Sequence, residues 1–333
     1  MEIKLSVLDQ SPISEGETAE EALKQTVELA QFTEKLGYQR FWVSEHHDTT
    51  GLAGSSPEVL ISHIAAKTKK IRVGSGGVML PHYSPYKVAE NFKVLSGLTP
   101  GRLDLGLGRA PGGMPRATMA LQEGKNRNVD RYPEQIQDLL KYLHDDLEKD
   151  HMLYGLKATP IVQQLPEVWL LGSSPSSAAL AASLGLPYTF ALFINGEGGE
   201  QYMNMYLRRF QPSKYLQKPK NMTAVFVICA ETDEEAERIA SSIDLSFIFL
   251  EQGIPSNGTP SPEKAAQYQY SPFEMARIRE NRKRMIIGNP KKVKEEIIKL
   301  CERYETNEIM LASITYDFQD KLKSFELIAN ELL

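Results

Sequence analysis

Apolar residues follow two alternating rhythms along the chain. Short runs rich in strand formers, at residues 3–8, 41–43, 71–79, 103–107, 168–171, 188–193, 222–229 and 308–312, are separated by longer stretches with apolar positions at helical spacing. Leu23, Val27 and Ala30 show that spacing in the first long stretch, which opens on the capping box Thr18-Ala-Glu-Glu21 and stops at Gly37. Ser56-Pro57, Ser84-Pro85, Ser174-Pro175 and Asn289-Pro290 each place a capping residue before a proline, and Thr232-Asp-Glu-Glu235 reads as a second capping box. Helices are expected from Asn128 to about His144, from about Glu197 to Phe210, from Phe273 to Met285 and at the C-terminus. Residues 109–126 read as a Gly- and Pro-rich loop. Residues 251–272 are the least regular part, and loops of that length are commonly lids.

Strand and helix alternate about eight times without a break in composition. That pattern fits an α/β fold of the (β/α)8 TIM-barrel type, with an irregular insertion after strand seven, better than an open doubly wound sheet. The expectation is one domain over residues 1–333, with a lid at 251–272.

Composition narrows the function. The 333 residues are 41% hydrophobic and 24% charged, and 38 basic against 43 acidic side chains give a net charge of -5. Neither sign forms a long block, so no footprint for nucleic acid or an anionic membrane is visible, and a small-molecule ligand is expected. The N-terminus enters a strand at once and no apolar run could span a bilayer, so a cytoplasmic protein is expected. Cys229 and Cys301, the only cysteines, read as reduced packing residues.

Residues 40–48, RFWVSEHHD, carry an apolar strand into Glu45, His46, His47 and Asp48. In parallel α/β folds ligands bind at the C-terminal ends of strands, so this cluster marks a site rim, although polar loop residues can also be merely solvated. Adjacent histidines in extended chain point to opposite faces, and no HExxH or Cys/His spacing exists, so no metal site is expected. The sequence GSGG at residues 74–77 lies inside a strand, where glycine signals a bulge or close approach by a ligand or by backbone. Arg109 follows the fourth strand and could fork phosphate oxygens or pair with a loop carboxylate. The run Ser173-Ser174-Pro175-Ser176-Ser177 opens a helix, whose unsatisfied N–H groups and dipole favour an anion; a second reading makes Ser174 only an N-cap. GLGRAPGG at residues 106–113 superficially resembles a dinucleotide fingerprint, but Pro111 and Pro115 interrupt the place where its helix should start.

The ordered set FWVSEHHD, RVGSGGVMLPHYSP and GRLDLGLGR resembles the bacterial luciferase-like flavin monooxygenase family over most of the chain, from Leu5 to about Leu311. The resemblance implies a single barrel with an insertion after strand seven. It also implies phosphate contacts at positions matching Arg109, Ser173, Ser174 and Ser177, and a non-proline cis peptide at Gly76-Gly77 against the flavin ring. Ser173 departs from bacterial luciferase, which has a glutamate there, so the backbone contact carries over more safely than a side-chain role. His46 matches the histidine beside the reactive flavin edge, where a proton donor or acceptor suits oxygen insertion. Glu45 is expected to face away and orient the site. The implied activity is oxidation of a small organic substrate by reduced FMN and O2, with the flavin supplied by a separate reductase, in a homodimer. The alternatives are a deazaflavin- or nicotinamide-dependent barrel oxidoreductase and a non-catalytic flavin-binding protein.

Overall fold

A computed structural model describes residues 2–124 and 129–333. Its strands are β1 (Lys4–Asp9), β2 (Arg40–Val43), β3 (Arg72–Met79), β4 (Leu103–Gly108), β5 (Glu167–Gly172), β6 (Tyr188–Ala191), β7 (Asn221–Cys229), β8 (Met285–Gly288) and β9 (Glu308–Ala312). Each of β1 to β7 pairs in parallel with the next, β7 pairs with β9, and β9 returns to β1, closing a barrel of eight strands. β8 stands outside that ring. Among the described residues it pairs only with the C-terminal half of β7, from Phe226 to Cys229, overlapping at Phe226 the stretch that β9 covers.

Alternation along the strands sorts side chains into two layers. Leu5, Val7, Phe41, Val43, Leu105, Val225 and Leu311 face outward into the apolar layer beneath the helices. Leu8, Trp42, Trp169, Met222, Ala224 and Met310 face inward and fill the barrel. Trp42 and Trp169 meet edge to face with ring centroids 5.6 Å apart, so the interior is packed and not a pore.

The capping signals have mixed outcomes. Thr18 forms its full box with Glu21, Gly37 closes that helix in the left-handed region, and Asn289 caps the helix Pro290–Arg303. Thr232 accepts the N–H of Glu235 without the reciprocal half of the box, and neither Ser56 nor Ser84 makes a side-chain cap. The expected helix start at Asn128 lies outside the described residues; from Tyr132 to His144 the chain is helical.

Three segments differ from the sequence expectation. Pro115–Leu121 is helical within the expected loop, and Pro262–Gln267 is a short helix within the expected irregular stretch. The helix expected over residues 273–285 runs from Pro272 to Arg282 and gives way to β8. Four residues, Met-Ile-Ile-Gly, are too few to show a period, so β8 could not be separated from the end of a helix by pattern alone. Cys229 and Cys301 are buried and free. Among the described residues no helix is long and apolar enough to cross a membrane, and no group of three potential ligands could hold a metal ion.

Candidate active site

At the C-terminal end of the barrel a cavity of about 830 Å³ opens over the interior layer. Its floor is apolar, from Leu8, Trp42, Leu171, Ala224 and Met310, and its rim carries Gly76, Gly77, Arg109, Ser173, Ser174 and Ser177. Six residues expected at a cofactor site from sequence are thus gathered around one opening, because they lie in the C-terminal half of β3 or in the segments just past β4 and β5.

The Gly76–Gly77 peptide is cis. The β3–β4 register slips between Gly76 and Val78, so the bulge considered from sequence is present, and the neighbouring backbone of Gly106 comes close to Gly77. A Cβ on Gly77 would lie 2.6 Å from the carbonyl oxygen of Gly106 and 2.7 Å from Leu171 Cδ1. No side chain fits there, and both glycines line the cavity without one.

β5 ends at Gly172, where a Cβ would collide with the Ser177 hydroxyl, so the strand runs directly under the first turn of the helix Pro175–Leu184. Ser174 and Ser177 form a capping box. The Ser177 hydroxyl also donates to the Ser174 carbonyl at 2.8 Å and lies 3.1 Å from the Tyr188 hydroxyl. The hydroxyls and the backbone N–H groups of Ser174 and Ser177 are thus engaged with one another in the cap, which leaves the helix dipole and the other N–H groups of the first turn as the features offered to an anion. Arg109 is exposed on the rim, and among the described residues it has no hydrogen-bond or ion-pair partner. The loop carboxylate that might have claimed it is not found there.

His46 lies at the same barrel end, three residues beyond β2, but it is not among the residues lining this cavity. Its Nδ1 lies 2.9 Å from the Ser44 hydroxyl. Burial, with a smaller contribution from neighbouring His47, pulls its pKa down to about 4, so the ring is neutral near pH 7 and not poised at the ordinary histidine value.

Glu45, expected to face away, is 1% exposed and is not among the residues lining the cavity. Its carboxylate accepts from His47 Nε2 at 2.8 Å, the Tyr83 hydroxyl at 2.7 Å and the Met79 backbone N–H at 3.0 Å, tying the end of β2 to the end of β3. Sequence reasoning missed Tyr83, and also His82, whose Nε2 lies 2.7 Å from the Pro111 carbonyl and fixes the loop after Arg109. It missed Asn195 too, whose side-chain amide donates to the Ser173 carbonyl at 3.0 Å. The motif LPHYSP held the first two in plain view, whereas nothing local marks Asn195.

The fold and rim define a (β/α)8 barrel whose C-terminal face carries a cavity lined by a capped helix start, two glycines and an exposed arginine. The chain belongs to the luciferase-like monooxygenase family, whose model matches residues 2–304. It is 59% identical over 326 residues to the uncharacterised protein YwcH of Bacillus subtilis, covering 98% of each chain. It is 41% identical over 336 residues to the N-acetyl-S-alkylcysteine monooxygenase of the same organism, covering 99% of this chain and 98% of the relative. The crystal structure of apo-MsnO8 superposes with a TM-score of 0.91 at 37% identity, covering 99% of this chain and 98% of that one. More distant matches include the oxygenase component of a flavin-dependent trigonelline monooxygenase from Acinetobacter baylyi, 24% identical over 96% of this chain and 92% of that protein. An F420-dependent secondary alcohol dehydrogenase shares the fold at 14% identity, with a TM-score of 0.67 and all of both chains covered.

Proposed function

We propose that this protein is a flavin-dependent monooxygenase that uses reduced FMN and O2 to oxidise a small organic substrate. The observation that carries the reading is the one cavity in which Gly76 and Gly77, the Ser174 helix start and Arg109, which has no ion-pair partner among the described residues, meet. Its volume of about 830 Å³ lies in the range of small-molecule and cofactor sites, and its apolar floor suits a largely apolar ring and substrate.

Arg109 would fork the phosphate oxygens beside the turn of Ser173, Ser174 and Ser177, where the helix dipole and the first-turn N–H groups outside the capping box favour the remaining oxygens. Gly76 and Gly77 would bear on the flavin ring. Bound reduced flavin supplies the electrons that activate dioxygen. His46, neutral and tethered through Nδ1 to Ser44, keeps Nε2 available to hold or pass a proton at the ring edge. Residues 251–272 would act as the lid of the single domain: Thr259 bridges to Ser14 beyond β1, and Thr50 donates to the Ser256 carbonyl at 2.9 Å. The name of the Acinetobacter relative, an oxygenase component, supports a separate flavin reductase as partner, in the cytoplasm. A homodimer accords with Val59 and Leu98, which are 72% and 68% exposed on neighbouring helices.

Reconstitution with a flavin reductase tests the reading. Binding of reduced FMN, with oxygen uptake that a candidate substrate accelerates, is the expected result. Exclusive binding of a deazaflavin would replace this activity with hydride transfer, and flavin binding without oxygen chemistry would leave a carrier.

A further inference from the structure

The wall of the cavity opposite Gly76 and Gly77 is the turn after β6, which contributes Phe193 and Ile194 to the lining. That turn is held from outside the barrel. Arg284, the residue before β8, donates through Nη1 to the Ile194 carbonyl at 2.7 Å and to the Phe193 carbonyl at 3.2 Å, and its Nη2 reaches Asn281 Oδ1. Asn281 in turn donates to Glu251, which is paired with Arg277. The insertion after β7 is thus connected by charged and amide hydrogen bonds to the turn after β6.

Asn195 carries the connection across to the anion-binding turn. Its Oδ1 accepts the N–H of Glu197 at 3.1 Å, and its Nδ2 donates to the Ser173 carbonyl at 3.0 Å. One neighbour is a donor and the other an acceptor, so the amide has only one satisfying orientation. Fixing the Ser173 carbonyl fixes the peptide plane it shares with the N–H of Ser174, at the point where the chain turns from β5 into the helix. That N–H donates to Ser177 Oγ at 3.3 Å in the capping box, so a rotation there would disturb the box and re-aim the first helical turn that faces the anion.

We infer that Asn195, braced by Arg284, is a positioning residue for the phosphate group of the cofactor: it aims the Ser173–Ser174 turn without touching the ligand. The inference rests on the proposed flavin site. It assigns to the segment after β7 a second task besides covering the substrate, that of bracing the anion site from the far side.

Two probes that share a ring and differ by the phosphate separate this role from a general structural one. Reduced FMN and reduced riboflavin are titrated anaerobically into the full-length protein and into Asn195→Asp, which keeps the acceptor for Glu197 and removes the donor to Ser173. The variant should bind FMN about tenfold more weakly, the loss expected of one well-placed hydrogen bond to a site of this kind, with riboflavin affinity unchanged. Arg284→Gln should produce the same selective loss to a smaller degree. Equal weakening of both probes, or unchanged FMN affinity in Asn195→Asp, would overturn the inference. Wild-type protein that binds the two probes equally would instead remove the phosphate reading of the site on which the inference stands. Circular dichroism and the thermal midpoint of each variant check that the fold is retained, and a variant that fails this check is replaced by Asn195→Ser in the same titration.

Discussion

The two ends of the barrel treat charge in opposite ways. At the N-terminal end, where the strands begin, Arg40 is 3% exposed and sits among carboxylates: Nε donates to Glu308 at 2.6 Å and Nη1 to Asp104 at 2.8 Å. Arg72, Trp42 Nε1 and Ser6 supply further donors to Asp104 and Glu308. Burial alone would depress the Arg40 pKa, but Asp104 and Glu308 outweigh it and hold the guanidinium above its ordinary value. At the C-terminal end Arg109 is exposed and unpartnered among the described residues, beside a helix start and a wall without side chains. A charge whose partners are all within the protein closes the barrel; one left without them is available to a ligand. The two arginines therefore have different work to do although both lie at strand termini.

Breaking the closed end should have the largest effect. Arg40→Met leaves Asp104 and Glu308 buried with their main counter-charge gone, and removing one partner of a buried ion pair costs about 3–5 kcal/mol. Urea denaturation should show the loss as a lower midpoint with an unchanged slope. A midpoint within experimental error of wild type would mean that Arg72 and the neighbouring donors suffice to satisfy the cluster, and the contrast between the ends would fail.

The same contrast explains what could be read from the chain. The open end is built from local signals: a strand running into Glu45-His46-His47, glycines inside β3, an arginine just past β4 and a serine-proline start after β5. Each announces itself within a few residues, and together with the strand rhythm they located the mouth of the barrel. The closed end is built from pairs such as Arg40 and Glu308, separated by 268 positions, and no periodicity reports which distant carboxylate an arginine will meet. Asn195 and Arg284 escaped for the same reason. β8 escaped because it is short and completes no barrel neighbour, whereas every other strand had the support of the alternating pattern.

Acid should act on the open end through His46. Its folded-state pKa of about 4 lies below the ordinary histidine value of 6.5, so between those values the unfolded chain binds more protons than the folded one. The stability this contributes is fully present above pH 6.5 and is lost as pH falls toward 4, by up to about 3 kcal/mol in order of magnitude. Unfolding measured from pH 7 to pH 4 should therefore steepen in wild type relative to His46→Gln, which cannot take up that proton. Parallel curves for the two proteins would show that His46 is not the buried neutral group described, and would remove the basis for a neutral proton relay at the rim.

The smallest effect on folding, and the sharpest test of the comparison, belongs to Arg109→Gln. Because Arg109 is exposed and makes no ion pair among the described residues, its loss should change stability by no more than about 0.5 kcal/mol, the scale of ordinary surface substitutions. A charge-assisted hydrogen bond to a phosphate contributes about 1.5–3 kcal/mol, so affinity for reduced FMN should fall by roughly 10- to 100-fold, and riboflavin affinity should not follow. Raising the salt concentration should narrow the gap between wild type and variant, since an exposed guanidinium is screened in a way that the buried Arg40 cluster is not. Arg40→Met should show the converse, a large loss of stability with no preference for the phosphate-bearing probe. If instead Arg109→Gln unfolds the protein as readily as Arg40→Met, then both ends of the barrel are closed by their own charges, and the anion must be held by the helix start alone.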